Sequence, residues 1–381
     1  MIPFSIVMPT YNRRDTILRA ISSVRAQRFT DWELIVVDDG SIDGTAEQLE
    51  GIDPRVRVIR QDNQGVAGAR NTGLAATTGA HVAFLDSDDE WTPHHLALAH
   101  AFFQSHPDAQ LYTSEFWEDF GHQQFAKHFR PEVGDWYPGT AQRIGSHAFD
   151  QPPPQGDPYL WFYQARSELE PWAHEALEGN PWTGGFLYRG HIFRGWRWGW
   201  LMALQPTVIT RAAMEAVGPN DTSYRVASDF GYLANLCRRF PTHFVSLPGC
   251  IKHELGDGAS ALAESHLATG ASAVQFNLDV LRFHEELFCQ AAPDDPELAA
   301  LRGFRHYLVA QAALDRGDHA LALAHLDEAV KTYRGPEALR ARLLSHAVTQ
   351  PKLASLLWRG SRVSARLASR LRHAVGLQVR P

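Results

Sequence analysis

The stretch His81-Val82-Ala83-Phe84-Leu85-Asp86-Ser87-Asp88-Asp89 decides the fold, because an apolar run of strand length stops there at three carboxylates. A short apolar run bounded by polar residues reads as a buried strand, and the acids fall where its carboxyl end opens. Carboxylate oxygens suit hard cations. Mg²⁺ takes one or two of them and completes its shell with water and substrate phosphates. A solvated acidic turn ahead of the next helix reads equally well from this stretch alone, so the flanking sequence must separate the two.

Upstream, apolar and helical segments alternate: Phe4 to Met8, a helical stretch near Arg14 to Ala26, and Trp32 to Val37. A helix near Gly44 to Glu50, the strand Val56 to Ile59 and a small-residue helix near Val66 to Thr77 follow. Near-continuous apolar strands joined by helices predict an α/β domain with a mostly parallel sheet covered on both faces. Ligands of such sheets bind beyond the carboxyl ends of the strands. Three polar clusters meet that edge: Pro9-Thr10-Tyr11-Asn12, Asp38-Asp39-Gly40-Ser41 and Asp86 to Asp89. Their convergence favours a phosphate and metal site over unrelated turns.

At 381 residues the chain suits one large core with an appended smaller unit. The formal charge of -7 argues against general nucleic-acid binding. Cys237, Cys250 and Cys289 are too few and scattered for a disulfide framework or zinc site, which favours a reducing cytoplasm. Met1 to Met8 reads as a first strand and not a signal peptide, and no run approaches the roughly 18 apolar residues of a membrane span. The expected location is therefore cytoplasmic.

Four ordered motifs carry a resemblance: Met8-Pro9-Thr10-Tyr11-Asn12, Val37-Asp38-Asp39-Gly40-Ser41-Ile42-Asp43-Gly44-Thr45, Asn63-Gln64-Gly65 with Ala69-Arg70-Asn71-Thr72-Gly73, and Phe84-Leu85-Asp86-Ser87-Asp88-Asp89. The chain resembles the family 2 inverting glycosyltransferases of the GT-A (Rossmann-like) fold, densely over about the first 115 residues and again from Gln205 to about Ser260. The resemblance implies a metal-dependent transfer, with inversion, from a nucleoside diphosphate sugar to a hydroxyl acceptor. A UDP-sugar is the expected donor, a saccharide or lipid-linked saccharide the acceptor, and Mn²⁺ or Mg²⁺ the cofactor.

Each task of that reaction has a candidate. Tyr11, beside Pro9 and Thr10, offers a ring face for a base, an interaction worth roughly 1 to 3 kcal/mol in single-stranded nucleic-acid sites. Asp39 can accept a hydrogen from the base, whereas Asp38 or Asp43 can cap a helix near Gly44. The guanidinium of Arg70 can brace base or phosphate. The resemblance implies that Asp86 and Asp88 form the family's Asp-x-Asp pair, Asp88 as metal ligand and Asp86 facing ribose or a metal-bound water. Phe230, Leu233, Ala234 and Cys237 show helical spacing, which puts Asp229 in a first turn where the dipole favours its ionised form. The resemblance makes Asp229 the base, although the usual Glu-Asp pair is here Ser228-Asp229. His253, after Cys250-Ile251-Lys252, matches a position where histidine completes the metal site; a structural histidine is the competing reading.

The organisation expected is a GT-A domain over 1–258, containing an aromatic-rich insert at 118–204, then a helical domain over 259–345 and a basic amphipathic helix over 346–381. Between Trp117 and Trp200 lie eight of the 11 tryptophans. Trp196, Trp198 and Trp200 are candidate acceptor contacts, since aromatic faces suit sugar CH surfaces; a small core built from Trp is the alternative. Helices around Gly317-Asp318 look like one tetratricopeptide-type hairpin, which needs a surface to pack on. The catalytic domain or a second copy in a homo-oligomer would supply it. Arg359, Arg362, Arg366 and Arg370 beside Leu356, Val363, Leu367 and Leu371 suit either a docked helix or peripheral contact with the inner face of the cytoplasmic membrane. Two other functions compete: a nucleotidyltransferase, whose usual glycine-rich, lysine-bearing phosphate loop is missing here, and a non-catalytic nucleotide-sugar-binding module with a partner-binding tail.

Overall fold

The computed structural model describes residues 3–119, 124–126, 137–169, 171–178, 184–253 and 271–333. Its strands are β1 (Phe4–Thr10), β2 (Trp32–Asp38), β3 (Val56–Arg60), β4 (His81–Phe84), β5 (Glu90–Trp91), β6 (Leu111–Asp119), β7 (Gln124–Ala126), β8 (Ala165–Glu168), β9 (Phe186–Gly190), β10 (Thr207–Thr210) and β11 (Thr242–His253). They form one sheet in the order β3-β2-β1-β4-β10-β6-β11-β9-β8, with β5 on β11 and β7 on β6. The helices are α1 (Ile17–Arg25), α2 (Gly65–Ala76), α3 (His95–Ser105), α4 (Tyr137–Ile144), α5 (Pro171–Ala176), α6 (Arg211–Val217), α7 (Ser228–Arg239), α8 (Ala271–His284), α9 (Pro296–Arg316) and α10 (His319–Thr332).

The first four strands pair in parallel, as their apolar runs predict. Leu34 to Val37 are buried on both faces of the sheet, which is what such a run requires. Beyond β4 the sheet becomes mixed. Strand β10 runs antiparallel between β4 and β6, β6 and β11 run parallel, and β9 and β8 add antiparallel strands outside β11. The insert thus extends the sheet.

Helix α2 lies close on the sheet because its inner face is small. A Cβ on Gly73 would stand 2.4 Å from Val7 Cγ1. The helix expected near Gly44 to Glu50 is reduced to a 3₁₀ turn at Glu47–Leu49. Gly44 has φ +89°, outside helical space. The Asp43 carboxylate accepts from the Thr45 backbone and hydroxyl and from Arg14 N–H, tying the loop back to the first strand's end.

Helices α9 and α10 form a hairpin around Gly317-Asp318. Gly317 closes α9 in the left-handed conformation, and Asp318 caps α10 by accepting from Leu321 N–H. The hairpin packs against the sheet-bearing part of the chain: Phe304, Tyr307 and Tyr333 share one hydrophobic core with Phe84, Trp196, Phe230 and Phe244 and with Phe283 of α8. The basic segment 346–381 lies outside the described residues. Among those described, no helix is long and apolar enough to cross a membrane.

Candidate active site

Because β1, β2 and β4 are parallel and in register, with Thr10 opposite Asp38 and Val7 opposite Phe84, the residues that follow them leave the sheet at one edge. Pro9 and Thr10 are buried strand residues, and Tyr11 is 46% exposed at the loop tip. Hydrogen bonds knit this loop to the second. Asn12 N–H donates to Ser41 Oγ at 2.9 Å, Asn12 Oδ1 accepts from Ile42 N–H at 3.0 Å, and Arg13 N–H donates to Thr45 Oγ1 at 2.9 Å. Asp39 is buried, and its Oδ1 accepts from Gln61 Nε2 at 2.7 Å and from Gln64 N–H at 2.9 Å.

The small residues of α2 turn Arg70 inward, where it is almost fully buried. Its Nη2 donates to Asp86 Oδ1 at 2.8 Å, and Gln205 Nε2 donates to Asp86 Oδ2 at 2.5 Å. Burial opposes the Arg70 charge, but Asp86, Asp229 and Asp88 offset it and hold its pKa above the ordinary value. For Asp86 burial is again the larger influence, yet Arg70 overcomes it and leaves the carboxylate below its usual range. Asp229 occupies the first turn of α7, as its sequence spacing predicts. Its pKa is raised by burial, with Arg70 pulling down and Asp86 pushing up. The structure therefore gathers Arg70, Asp86 and Asp229 from α2, the end of β4 and the start of α7.

Asp88 and Asp89 complete the acidic edge. Burial, and then the charge of Asp86, raises the Asp88 pKa, partly countered by Arg13, whose Nε lies 3.5 Å from Asp88 Oδ2. Asp89 is raised further by burial and by Asp88. Burial and mutual repulsion disfavour the charged form of both carboxylates, and a divalent cation between them would favour it. Among the described residues no three His, Cys, Asp or Glu side chains converge on one metal position. The donor set thus fits a cation that completes its shell with water and diphosphate. His253 has its ring set between two other carboxylates. Its Nε2 lies 2.8 Å from Glu90 Oε1 and its Nδ1 3.5 Å from Asp119 Oδ2, while its backbone N–H donates to Asp89. Parallel pairing of β11 with β6 sets His253 opposite Asp119, and β5 brings Glu90 alongside.

The acceptor role expected for Trp196 and Trp198 does not fit their burial. Both rings lie inside the main core, where Trp196 meets Phe230 edge-on at 4.9 Å. Trp200 also packs on Phe230, at 5.3 Å, but keeps partial exposure. Sequence reading missed Gln205 and Arg13. A lone glutamine before Pro206 carries no periodicity, and Arg13 reads as an ordinary surface cation until the loop folds over Asp88.

A sheet whose first four strands are parallel, with polar loops at three strand ends, acids in two of them and a carboxylate at a facing helix start, defines a GT-A-type architecture. Residues 5–154 match the family model "Glycosyl transferase family 2". Over 96 residues the chain is 46% identical to the UDP-Glc:alpha-D-GlcNAc-diphosphoundecaprenol beta-1,3-glucosyltransferase WfgD of Escherichia coli, covering 25% of this chain and 38% of that protein. Over 118 residues it is 42% identical to the putative colanic acid biosynthesis glycosyl transferase WcaA of Escherichia coli, covering 29% and 40%. The alignments thus span well under half of these relatives' length. The crystal structure of S. aureus TarS 1–349 shares the fold, with a TM-score of 0.53 at 14% identity over 94% of this chain and 91% of that one.

Proposed function

We propose that the chain transfers a sugar, with inversion, from a nucleoside diphosphate donor to a hydroxyl acceptor in the synthesis of a surface polysaccharide or lipid-linked oligosaccharide. The observation that carries this reading is Asp86, fastened by Arg70 and Gln205 within the electrostatic reach of Asp229. Tyr11 stacks on the base and Asp39 accepts a hydrogen from it through Oδ2, since Oδ1 is already engaged. Asp86 receives the ribose. Asp88 would hold Mg²⁺ or Mn²⁺, whose charge would neutralise that of the diphosphate. Asp229, whose raised pKa suits a proton acceptor, takes the acceptor hydroxyl's proton as its oxygen bonds to the anomeric carbon. The bond from that carbon to the diphosphate breaks, and the nucleoside diphosphate leaves. Trp200, half-buried beside Phe230, is the acceptor contact that keeps an accessible ring. Relatives named for polysaccharide and lipid-linked sugar transfer support the acceptor class. The protein works in the cytoplasm at the inner face of the membrane.

Calorimetric titration with UDP, GDP, CDP and dTDP, each with Mn²⁺ and with EDTA, tests the donor site. One diphosphate should bind tightly and lose that binding in EDTA; binding of none would overturn the reading. With the donor so selected, Asp229→Asn should keep diphosphate affinity and lose donor turnover by about 10²- to 10⁴-fold, the usual contribution of a positioned base.

A further inference from the structure

Helix α7 begins without a capping side chain of its own: Ala227 stands at the N-cap position. The backbone leading into it is held from elsewhere. Asp279 of α8 is buried, and its Oδ2 accepts from Val226 N–H at 2.7 Å and from Ala227 N–H at 3.1 Å. Gln275, one turn earlier on α8, donates to Asp279 Oδ1 at 2.8 Å and fixes the carboxylate. Two more bonds hold the same segment: Arg282 Nη1 of α8 donates to Ser223 Oγ at 2.6 Å, and Tyr224 Oη donates to Oε2 of Glu286, two residues past the end of α8, at 2.7 Å. On the donor side, Asn71 exchanges hydrogen bonds with the Asn220 backbone, at 2.9 Å and 2.7 Å, one residue from Arg70. Phe230, next to Asp229, is boxed by Phe283 of α8 at 4.3 Å.

We propose that Asp279 is a positioning residue for Asp229, so that α8, outside the sheet that binds the donor, forms part of the transfer site. Two charge-assisted bonds to consecutive amides fix the backbone from which Asp229 projects. Displacement of a reacting group by about 1 Å can cost on the order of 10²-fold in rate. The inference rests on Asp229 being the base. It concerns geometry and asks nothing of Asp279 as a donor or acceptor of the transferred proton.

The test follows release of nucleoside diphosphate in Asp279→Ala, Asp279→Asn, Asp229→Asn and the double variant, with the glucose ester of the diphosphate that calorimetry selects as the probe. Asp279→Ala should lower kcat about 10- to 100-fold with diphosphate affinity unchanged. Asp279→Asn, which keeps one acceptor oxygen, should lose less and serves alone if the alanine variant does not fold. In the Asp229→Asn background the second change should add nothing, because both act through one group. Hydrogen exchange at Val226 and Ala227 should accelerate in the Asp279 variants. Loss of turnover in Asp229→Asn beside unchanged kcat in Asp279→Ala and Asp279→Asn overturns the positioning role alone; so does an equal loss of diphosphate affinity, or unchanged exchange at the two amides. Retained turnover in Asp229→Asn overturns the base reading and the positioning role with it.

Discussion

Arg70 holds the acidic edge together from inside. It is a buried cation among Asp86, Asp229 and Asp88, and its removal would leave Asp86 without its ion-pair partner. Breaking a buried pair by deleting one partner costs about 3 to 5 kcal/mol. Arg70→Met should therefore lower the urea midpoint by that amount of stability with little change in m-value, and the Asp86 pKa should rise, as carboxylate NMR titration would read. Asp86, Asp88 and Asp229 were legible because a strand end and a helix start are visible in hydrophobic spacing. Gln205 was not: its contact with Asp86 exists only once β10 inserts between β4 and β6, a pairing no local pattern announces. The same blindness put Trp196 and Trp198 at a sugar when both rings fill the core, since burial of an aromatic depends on elements far away in sequence.

Among elements, the contact of α2 with β1 is the tightest test of the arrangement that aims Arg70 inward. Gly73→Ala would gain about 0.5 to 1 kcal/mol in helix preference. It would also drive a methyl to 2.4 Å from Val7 Cγ1, and overpacking of this kind costs about 1 to 3 kcal/mol. A lower melting temperature is the expected outcome, and a calorimetric scan measures it. Local pattern sufficed for β1 to β4, α2, α7 and the α9–α10 hairpin, because each buries one continuous or periodic apolar face. It failed at residues 44–50, where the left-handed Gly44 and the bonds of Asp43 redirect the chain, and in the insert, where β9 owes its extended form to pairing with β11 and β8 to pairing with β9.

Over the whole molecule, stability should respond to acid through histidines buried without charge. Burial depresses the His95 pKa to about 3, and His243 and His306 to about 4. Each takes up a proton near 6.5 once unfolded, so each contribution is complete above about pH 6.5 and declines toward the folded-state value. Asp88 and Asp89, shifted upward, act in the opposite direction, and comparison with a variant isolates one group. Between about pH 7.5 and 5 the wild type should lose about 2 kcal/mol more stability than His95→Leu, read from denaturant midpoints at each pH.

The core that joins Phe84 and Phe230 to Phe304, Tyr307 and Tyr333 also sets a timetable for the newborn chain. Ribosomes add roughly 5 to 20 residues per second, so the stretch from Asp229 to Tyr333 takes about 5 to 20 s to appear. Throughout that interval the rings around Phe230 lack their lid. The sheet-bearing half cannot mature ahead of the C-terminal helices, and during synthesis it is a client for whatever chaperone shields aromatic surface.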